Sequence, residues 1–461
     1  MAREPVELQQ YVNHAPAGRE RAGLASRIVA ATLIGKVVDG RAALDGLLDE
    51  TSGLASFRAL IAKDRALARA IAVTALRRRK EIDAMLSALV HRPPPKNARH
   101  LLHALHAAAA QIIYLDVPDS AAVNLAVTAI SEDRRSNRFA GFANALLRRL
   151  SNEKEQASNL PQTAQARLPG WLAQALIRDH GAAIADAIAA MLALEPMLDL
   201  TPHPRLGPAE LRALAGRLQA TQLPTGTLRV GDPRPVPQLP GYGEGSWWVQ
   251  DAAASLPARL LGDIGGLRVA DLCAAPGGKT AQLAAAGAKV TALDSSAARM
   301  RQLGENLGRL GLEAECLTGD LLTLAPPAIF DAVLLDAPCS AIGTARRHPD
   351  VPWTKTPEDV AGLARLQEKM LLAAMRWAKP GGVLVYANCS LLKAEGEEVI
   401  ARVLRREPGL RRDPLVGLPA GIDPGWVCGD GELRTMPHYL PAMPPQTGGM
   451  DGFYLCRMRR I

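Results

Sequence analysis

Short β-rich apolar runs alternate with helix-length segments through the C-terminal half of the chain, and nothing else in the sequence constrains the fold as tightly. The runs are LRVADL (267–272), KVTALD (289–294), AVLLD (332–336) and VLVYA (383–387). Strand followed by helix, repeated, predicts an α/β doubly wound sheet of Rossmann-like type. In such sheets ligands sit beyond the carboxyl ends of the strands. The residues directly after each run are therefore the candidates for chemistry.

The N-terminal half follows a different period. From Leu24 to about Leu150 the pattern is helical, with Leu102, Leu105, Ala109, Ile112 and Ile113 forming one apolar stripe. The segment RPPP at 92–95 breaks the pattern as a turn. No strand-like alternation occurs there, which predicts an all-α bundle. Beyond SNEKEQASNL the chain carries a helical stretch from Pro169 to Leu194, then the proline-rich passage VGDPRPVPQLPGYGEG at 230–245. The expected organisation is an all-α domain over 1–155, a linker and small connecting domain over 156–245, and the α/β domain over 246–461.

Length supports this division, since 461 residues exceed one ordinary core. The first residues, MAREPVELQQ, lack the apolar segment of a secretory signal, and no apolar run approaches the roughly 20 residues needed to cross a bilayer. A cytoplasmic monomer without a membrane partner is expected. The net charge of +8 is compatible with a polyanionic partner. Arg77, Arg78, Arg79 and Lys80 are consecutive, and Arg134, Arg135, Arg138, Arg148 and Arg149 follow. These clusters are either solvated helix faces or a phosphate-binding surface.

CAAPGGKT (273–280) follows the first run, and its glycines allow a tight turn and close backbone approach to a ligand. It is not a Walker loop, because the position six residues before Lys279 is Cys273 and not glycine. Asp294 ends the second run. It can accept hydrogen bonds from a ribose or cap the following helix, and it does not separate a nicotinamide cofactor from S-adenosylmethionine. Asp320, at the end of LTGD, is placed to reach an adenine amino group. DAPCS (336–340) puts Asp336 and Cys339 at the rim of the same crevice, and YANCS (386–390) puts Cys389 at the equivalent edge. Of the six cysteines, none forms a CxxC pair, so a zinc ribbon is disfavoured and no metal is expected. A single buried cysteine is usually a small hydrophobe. Two on two strand ends facing one crevice point to chemistry.

CAAPGGKT, DAPCS, GTARRHPD and the C-terminal DGFYLCRMRR resemble the motifs of the RsmB/Sun family of ribosomal RNA m5C methyltransferases. The segments DRALARAIAVTALRRRKEIDAML and RFAGFANALLRRL resemble the NusB-type RNA-binding domain of that family. The resemblance implies S-adenosylmethionine along Cys273, Ala274, Ala275, Pro276, Gly277, Gly278 and Lys279, with Asp294, Asp320 and Asp336 around it. It implies Cys389 as the covalent nucleophile, Cys339 as the cysteine that releases product, and Asp336 near the target base. It implies small-subunit rRNA as partner, with Arg77, Arg78, Arg346 and Arg347 as RNA contacts. Three departures stand out: Asn388 replaces the family's usual threonine, Glu395-Gly396-Glu397 replaces Glu-Asn-Glu, and PMLDLTP (196–202) replaces a basic-polar strand.

Two cysteines suit this chemistry. Cytosine C5 is a poor nucleophile until a thiolate adds to C6, which is covalent catalysis. The C5 proton must then leave before the C6–S bond breaks. A DNA cytosine methyltransferase would carry Pro-Cys-Gln, whereas this chain has Pro338-Cys339-Ser340 and a second cysteine. Methylation of tRNA or 23S rRNA, or a non-catalytic NusB-like RNA-binding factor, are the other readings.

Overall fold

A computed structural model describes residues 22–90, 92, 94–95, 97–157, 161–231, 234–442 and 448–461. The chain forms two compact units. Of the described residues, the first comprises those up to 174 together with 348–355, and the second those within 175–347 and 356–461. The described residues of the connecting stretch divide between the two, those up to 174 grouping with the bundle and the remainder with the α/β unit.

The first unit is all-α. Its main helices are Leu24–Val38, Ala62–Arg77, Arg79–Ala88, Arg99–Tyr114, Asp119–Glu132 and Ala140–Asn152. Arg99–Tyr114 is the central one. The expected stripe on it is too narrow and slightly displaced: Leu101 and Ala107–Ile112 are buried, while Leu102 and Ile113 are only partly so. Its run of alanines lets neighbours approach from several sides, so the helix is enclosed nearly all round. Two buried histidines on it are paired, with His103 Nε2 2.9 Å from Asp39 Oδ2 and His106 Nε2 2.8 Å from Asp83 Oδ1. The distant segment 348–355 completes this unit. Asp350 accepts a hydrogen bond from Leu44 N at 2.9 Å, and Trp353 Nε1 donates to the carbonyl of Leu76 at 3.0 Å.

The second unit holds two sheets. Strands β1 (Leu198–Pro202), β2 (Ala220–Gln222), β3 (Leu228–Val230) and β4 (Trp247–Val249) form an antiparallel sheet in the order β2-β3-β1-β4. The larger sheet contains β5 (Arg268–Leu272), β6 (Lys289–Asp294), β7 (Glu315–Thr318), β8 (Phe330–Asp336) and β9 (Ala378–Asn388), all parallel in the order β7-β6-β5-β8-β9. Antiparallel strands continue it: β13 (Phe453–Arg460) pairs with β9, β12 (Glu432–Thr435) with β13, and β11 (Val427–Gly429) with β12, while β10 (Leu410–Arg412) pairs with β13 on its own.

All four expected strands are present, and their central residues are buried because a parallel sheet is covered on both faces. The strand order reverses between β5 and β8. That switch point opens a crevice beyond the carboxyl ends of the strands.

Candidate active site

The turn after β5 is shaped by its own packing. Cys273 has φ 64° and Gly277 φ 103°. A Cβ on Gly277 would lie 2.7 Å from Cγ of Leu303, on the helix Ala297–Leu310. The glycine is therefore required by the helix pressed against the loop and by the left-handed backbone, before any ligand is considered. Asp294, at the end of β6, is buried. Its Oδ2 accepts from Ala275 N at 3.2 Å and its Oδ1 from Ser296 N at 2.9 Å, so it ties the two strand ends together. The cap of the following helix is Ser296, which accepts from Arg299 N. Asp320 is exposed, and its Oδ1 accepts from Leu322 N at 3.0 Å. Gly319 N donates to the carbonyl of Asp294 at 3.1 Å, which keeps Asp320 beside the β6 end.

Lys279 is the second residue of the helix Gly278–Ala285, with Nζ 2.7 Å from Asp336 Oδ2 and 5.3 Å from the ring centre of Phe453. Burial opposes its charge, but Asp336, Asp271 and Cys389 outweigh it, and the ammonium is held more firmly than usual. Asp271 is a site residue that sequence reasoning missed. It is fully buried in β5, Oδ2 accepts from Thr280 Oγ1 at 2.6 Å, and Oδ1 has no partner among the described residues. Burial pushes its carboxyl up to about 7, against the pull of Thr280 and Lys279.

This shift has a stability consequence. The unfolded chain ionises Asp271 near pH 4 while the folded chain holds its proton to about pH 7. The folded state binds more protons across that window, so stability falls as pH rises through it, by up to about 4 kcal/mol. Asp271→Asn removes this dependence. Its stability relative to the parent should rise between pH 4 and pH 7 and level off above, which urea unfolding at a series of pH values measures. A constant difference across that range would refute the assignment.

The two cysteines meet. Cys339 Sγ lies 3.4 Å from Cys389 Sγ, although 50 residues separate them. β8 and β9 are parallel neighbours, and the ladder's last rung is Ala337 N to the carbonyl of Ala387 at 2.8 Å, so both cysteines emerge just past it. The Cys339 thiol is held well above its ordinary value, first by its hydrogen bond with Cys389, then by burial and by the charges of Cys389 and Glu395. Asn388 is buried. Its Nδ2 donates to Tyr386 OH at 3.0 Å and to the carbonyl of Glu395 at 2.7 Å, and its Oδ1 accepts from Ser390 N at 3.0 Å. The amide thus fixes the backbone on both sides of Cys389. Gly396 also has a local reason: a Cβ there would lie 2.7 Å from Arg434 Nη2 and 2.8 Å from Cγ of Tyr454.

The arginines expected to clamp phosphate are otherwise engaged. Arg347 Nη2 donates to Asp251 Oδ2 at 2.6 Å and Nε to Asp451 Oδ2 at 3.3 Å, with Asp199 Oδ2 3.8 Å away. Burial disfavours its charge, and these three carboxylates more than restore it. Arg346 is 1% exposed and donates to the carbonyl of Gly448 at 3.2 Å. Arg346 is buried and Arg347 is 23% exposed, and both guanidinium groups are engaged within the protein. Arg78 pairs with Glu81 at 3.0 Å and lies over the Tyr114 ring, and Arg77 on the same stretch is half-buried. Runs of like charge do not reveal such internal pairing.

Residues 261–459 match the family described as 16S rRNA methyltransferase RsmB/F, and residues 24–152 match the NusB family. The ribosomal RNA small subunit methyltransferase B of Xylella fastidiosa (strain Temecula1) is 37% identical over 453 residues, spanning 95% of this chain and 98% of its own length. Its namesake in Xanthomonas campestris is 35% identical over 426 residues, or 90% of this chain and 94% of that one. The crystal structure of PH0851 superposes with a TM-score of 0.70 at 22% identity, covering 97% of this chain and 100% of the other. That likeness supports the fold.

Proposed function

The chain belongs to the RsmB/F family of rRNA methyltransferases, and from that premise we propose that it methylates C5 of a cytosine in small-subunit rRNA, using S-adenosylmethionine and a covalent Cys389–C6 bond that Cys339 resolves. The observation that carries this reading is the 3.4 Å approach of the two sulfurs at the crevice edge. One sulfur alone would suffice for packing or for attack. A second within contact distance suits a reaction that needs a nucleophile and then a base at adjacent carbons.

The crevice fits a cationic methyl donor. Asp294, Asp320 and Asp336 stand around the turn 273–279. Lys279, paired to Asp336, and Arg299, 3.6 Å from Asp294, are the nearby cations. When bound, S-adenosylmethionine supplies an electrophilic methyl group on a positively charged sulfur. Residues 273–279 would hold it, with Asp294 at the ribose and Asp320 at the adenine.

The chain's own residues then do the following. Cys389, its thiol proton given up to solvent, adds as thiolate to C6 of the cytosine, and the C5–C6 π pair moves onto C5 and makes it nucleophilic. Lys279 keeps a cation within electrostatic reach of that sulfur. Asp336 has 30% of its side chain exposed and keeps acceptor capacity beyond its bond to Lys279, enough to engage the base. After methylation, Cys339 sulfur removes the C5 proton, the C6–S bond breaks, and Cys389 leaves as thiolate. The order is supported by the cause of the Cys339 shift. Its hydrogen bond to Cys389 leads, and the charge of Cys389 adds to it. Once Cys389 sulfur is bonded to carbon it carries no charge and these two contributions fall away, while burial and the Glu395 charge remain, which favours Cys339 acting as base after attack.

The target must be splayed out of its stack to reach this crevice. Arg134, Arg138 and Arg148 of the bundle face solvent and are the cations that unit offers to RNA phosphate. RNA carrying 5-fluorocytosine tests the mechanism, because fluorine at C5 cannot leave as a proton. It should trap an adduct stable to denaturation, and mass spectrometry should locate it on the Cys389 peptide. Trapping on Cys339, or none with RNA that is otherwise methylated, would defeat the proposal. Bisulfite mapping of rRNA from cells with and without the gene identifies the nucleotide.

A further inference from the structure

Glu395 is fully buried in the turn between β9 and the helix Glu397–Arg406, and its carboxylate collects four donors from three segments. Oε1 accepts from Ser340 N at 2.8 Å and from Gln367 Nε2 at 3.1 Å. Oε2 accepts from Ser340 Oγ and from Ser390 Oγ, the latter at 2.6 Å. Ser340 directly follows Cys339, and Ser390 directly follows Cys389. One oxygen therefore bridges the two cysteine loops, whose serine oxygens are 3.3 Å apart. The same Gln367 amide also donates to the carbonyl of Pro338 at 2.9 Å. The Glu395 carbonyl meanwhile accepts from Tyr386 OH and Asn388 Nδ2, both at 2.7 Å.

We propose that Glu395 is a positioning residue: its carboxylate joins the loop bearing Cys339 to the loop bearing Cys389 and so sets the spacing of the two sulfurs. The strand ladder stops at Ala337 and Ala387. Past that point the loops are linked by the backbone bond from Gly343 N to the carbonyl of Cys389, at 2.9 Å, and by this carboxylate. A carboxylate suits the place because its two oxygens offer about four acceptor sites and no donor. Burying it is costly unless each site is filled, and the four donors fill them. Glu395 bonds to the residues after the cysteines, not to sulfur, so it acts through them.

The inference rests on the reading that both sulfurs serve one base in succession, and its test separates the two. Exposed Cys316 and Cys428 are first replaced by serine. Dibromobimane, which fluoresces on bridging two thiols, then reports the Cys339–Cys389 spacing without RNA or methyl donor. Glu395→Ala should slow bridging at least ten-fold, and Glu395→Gln, which keeps bulk and one acceptor, should recover most of it. Ser340→Ala with Ser390→Ala leaves Glu395 in place, removes both donors to Oε2, and should slow bridging as Glu395→Ala does. With RNA and methyl donor present, the ratio of adduct to released product should rise ten-fold or more in Glu395→Ala, since release needs the second sulfur. Thermal unfolding identifies a variant that fails to fold, in which case the double serine variant decides. Bridging within two-fold of the parent in the folded variants overturns the proposal. Lost bridging with no RNA adduct in any variant supports the positioning role and overturns only the cytosine chemistry.

Discussion

Cys339→Ala will accumulate an enzyme–RNA adduct that survives denaturing electrophoresis, while Cys389→Ala will form none and transfer no methyl group. The asymmetry follows from which atom each sulfur serves. Removing Cys389 removes the bond to C6, and C5 loses the activation without which it does not attack. Losses at a covalent nucleophile are typically many orders of magnitude, so turnover should fall below detection. Removing Cys339 leaves attack and methyl transfer intact but strands the methylated base, because the C5 proton has no nearby acceptor and the C6–S bond cannot break. The adduct should carry the methyl group, and labelled methyl donor will show it. An adduct in the Cys389 variant, or full turnover without Cys339, would reverse the assignment.

Gly343→Ala should be the most damaging change outside the cysteines. A Cβ on Gly343 would stand 1.9 Å from the carbonyl oxygen of Gly452 and 2.8 Å from that of Cys389. Both obstacles are backbone and cannot rotate aside. Gly343 N donates to the Cys389 carbonyl at 2.9 Å, and its own carbonyl accepts from Gly452 N at 2.9 Å, so three strand-end segments cross at this residue. Overpacking in a well-packed site commonly costs about 1–3 kcal/mol, and an immovable neighbour puts this case at about 3 or above. The Cys389 carbonyl must shift, and a displacement of about 1 Å can cost roughly 100-fold in rate. The expected result is a lower urea midpoint together with a 100-fold or greater fall in adduct formation. A variant with parental stability and activity would show that the crossing relaxes freely.

What was legible in the sequence, and what was not, divides along sequence distance. β5, β6, β8 and β9 were readable because each is a continuous apolar run, and a parallel sheet fixes where its ends must point. Cys339 and Cys389 were readable for the same reason. Glu395 was not, since its partners at 340, 367 and 390 become neighbours only when β8 and β9 pair. Arg347 looked like a free cation because its carboxylates lie at 199, 251 and 451. Asp271 interrupts an apolar run by one residue, which reads as an ordinary strand until its burial is seen. β2, β3 and β4 are three residues each, too short for alternation to register.

The all-α unit borrows its last piece from far downstream. Leu44 N finds its acceptor in Asp350, 306 residues later, and the Leu76 carbonyl waits for Trp353. At synthesis rates of roughly 5–20 residues per second, the ribosome needs about 15–60 s to supply that segment after the first helices emerge. The nascent bundle spends this interval with the seat for Trp353 open to water. A translating cell therefore holds the all-α unit in an unfinished form until the loop after Cys339 has been made, and a chain terminated before residue 348 would leave it unfinished permanently.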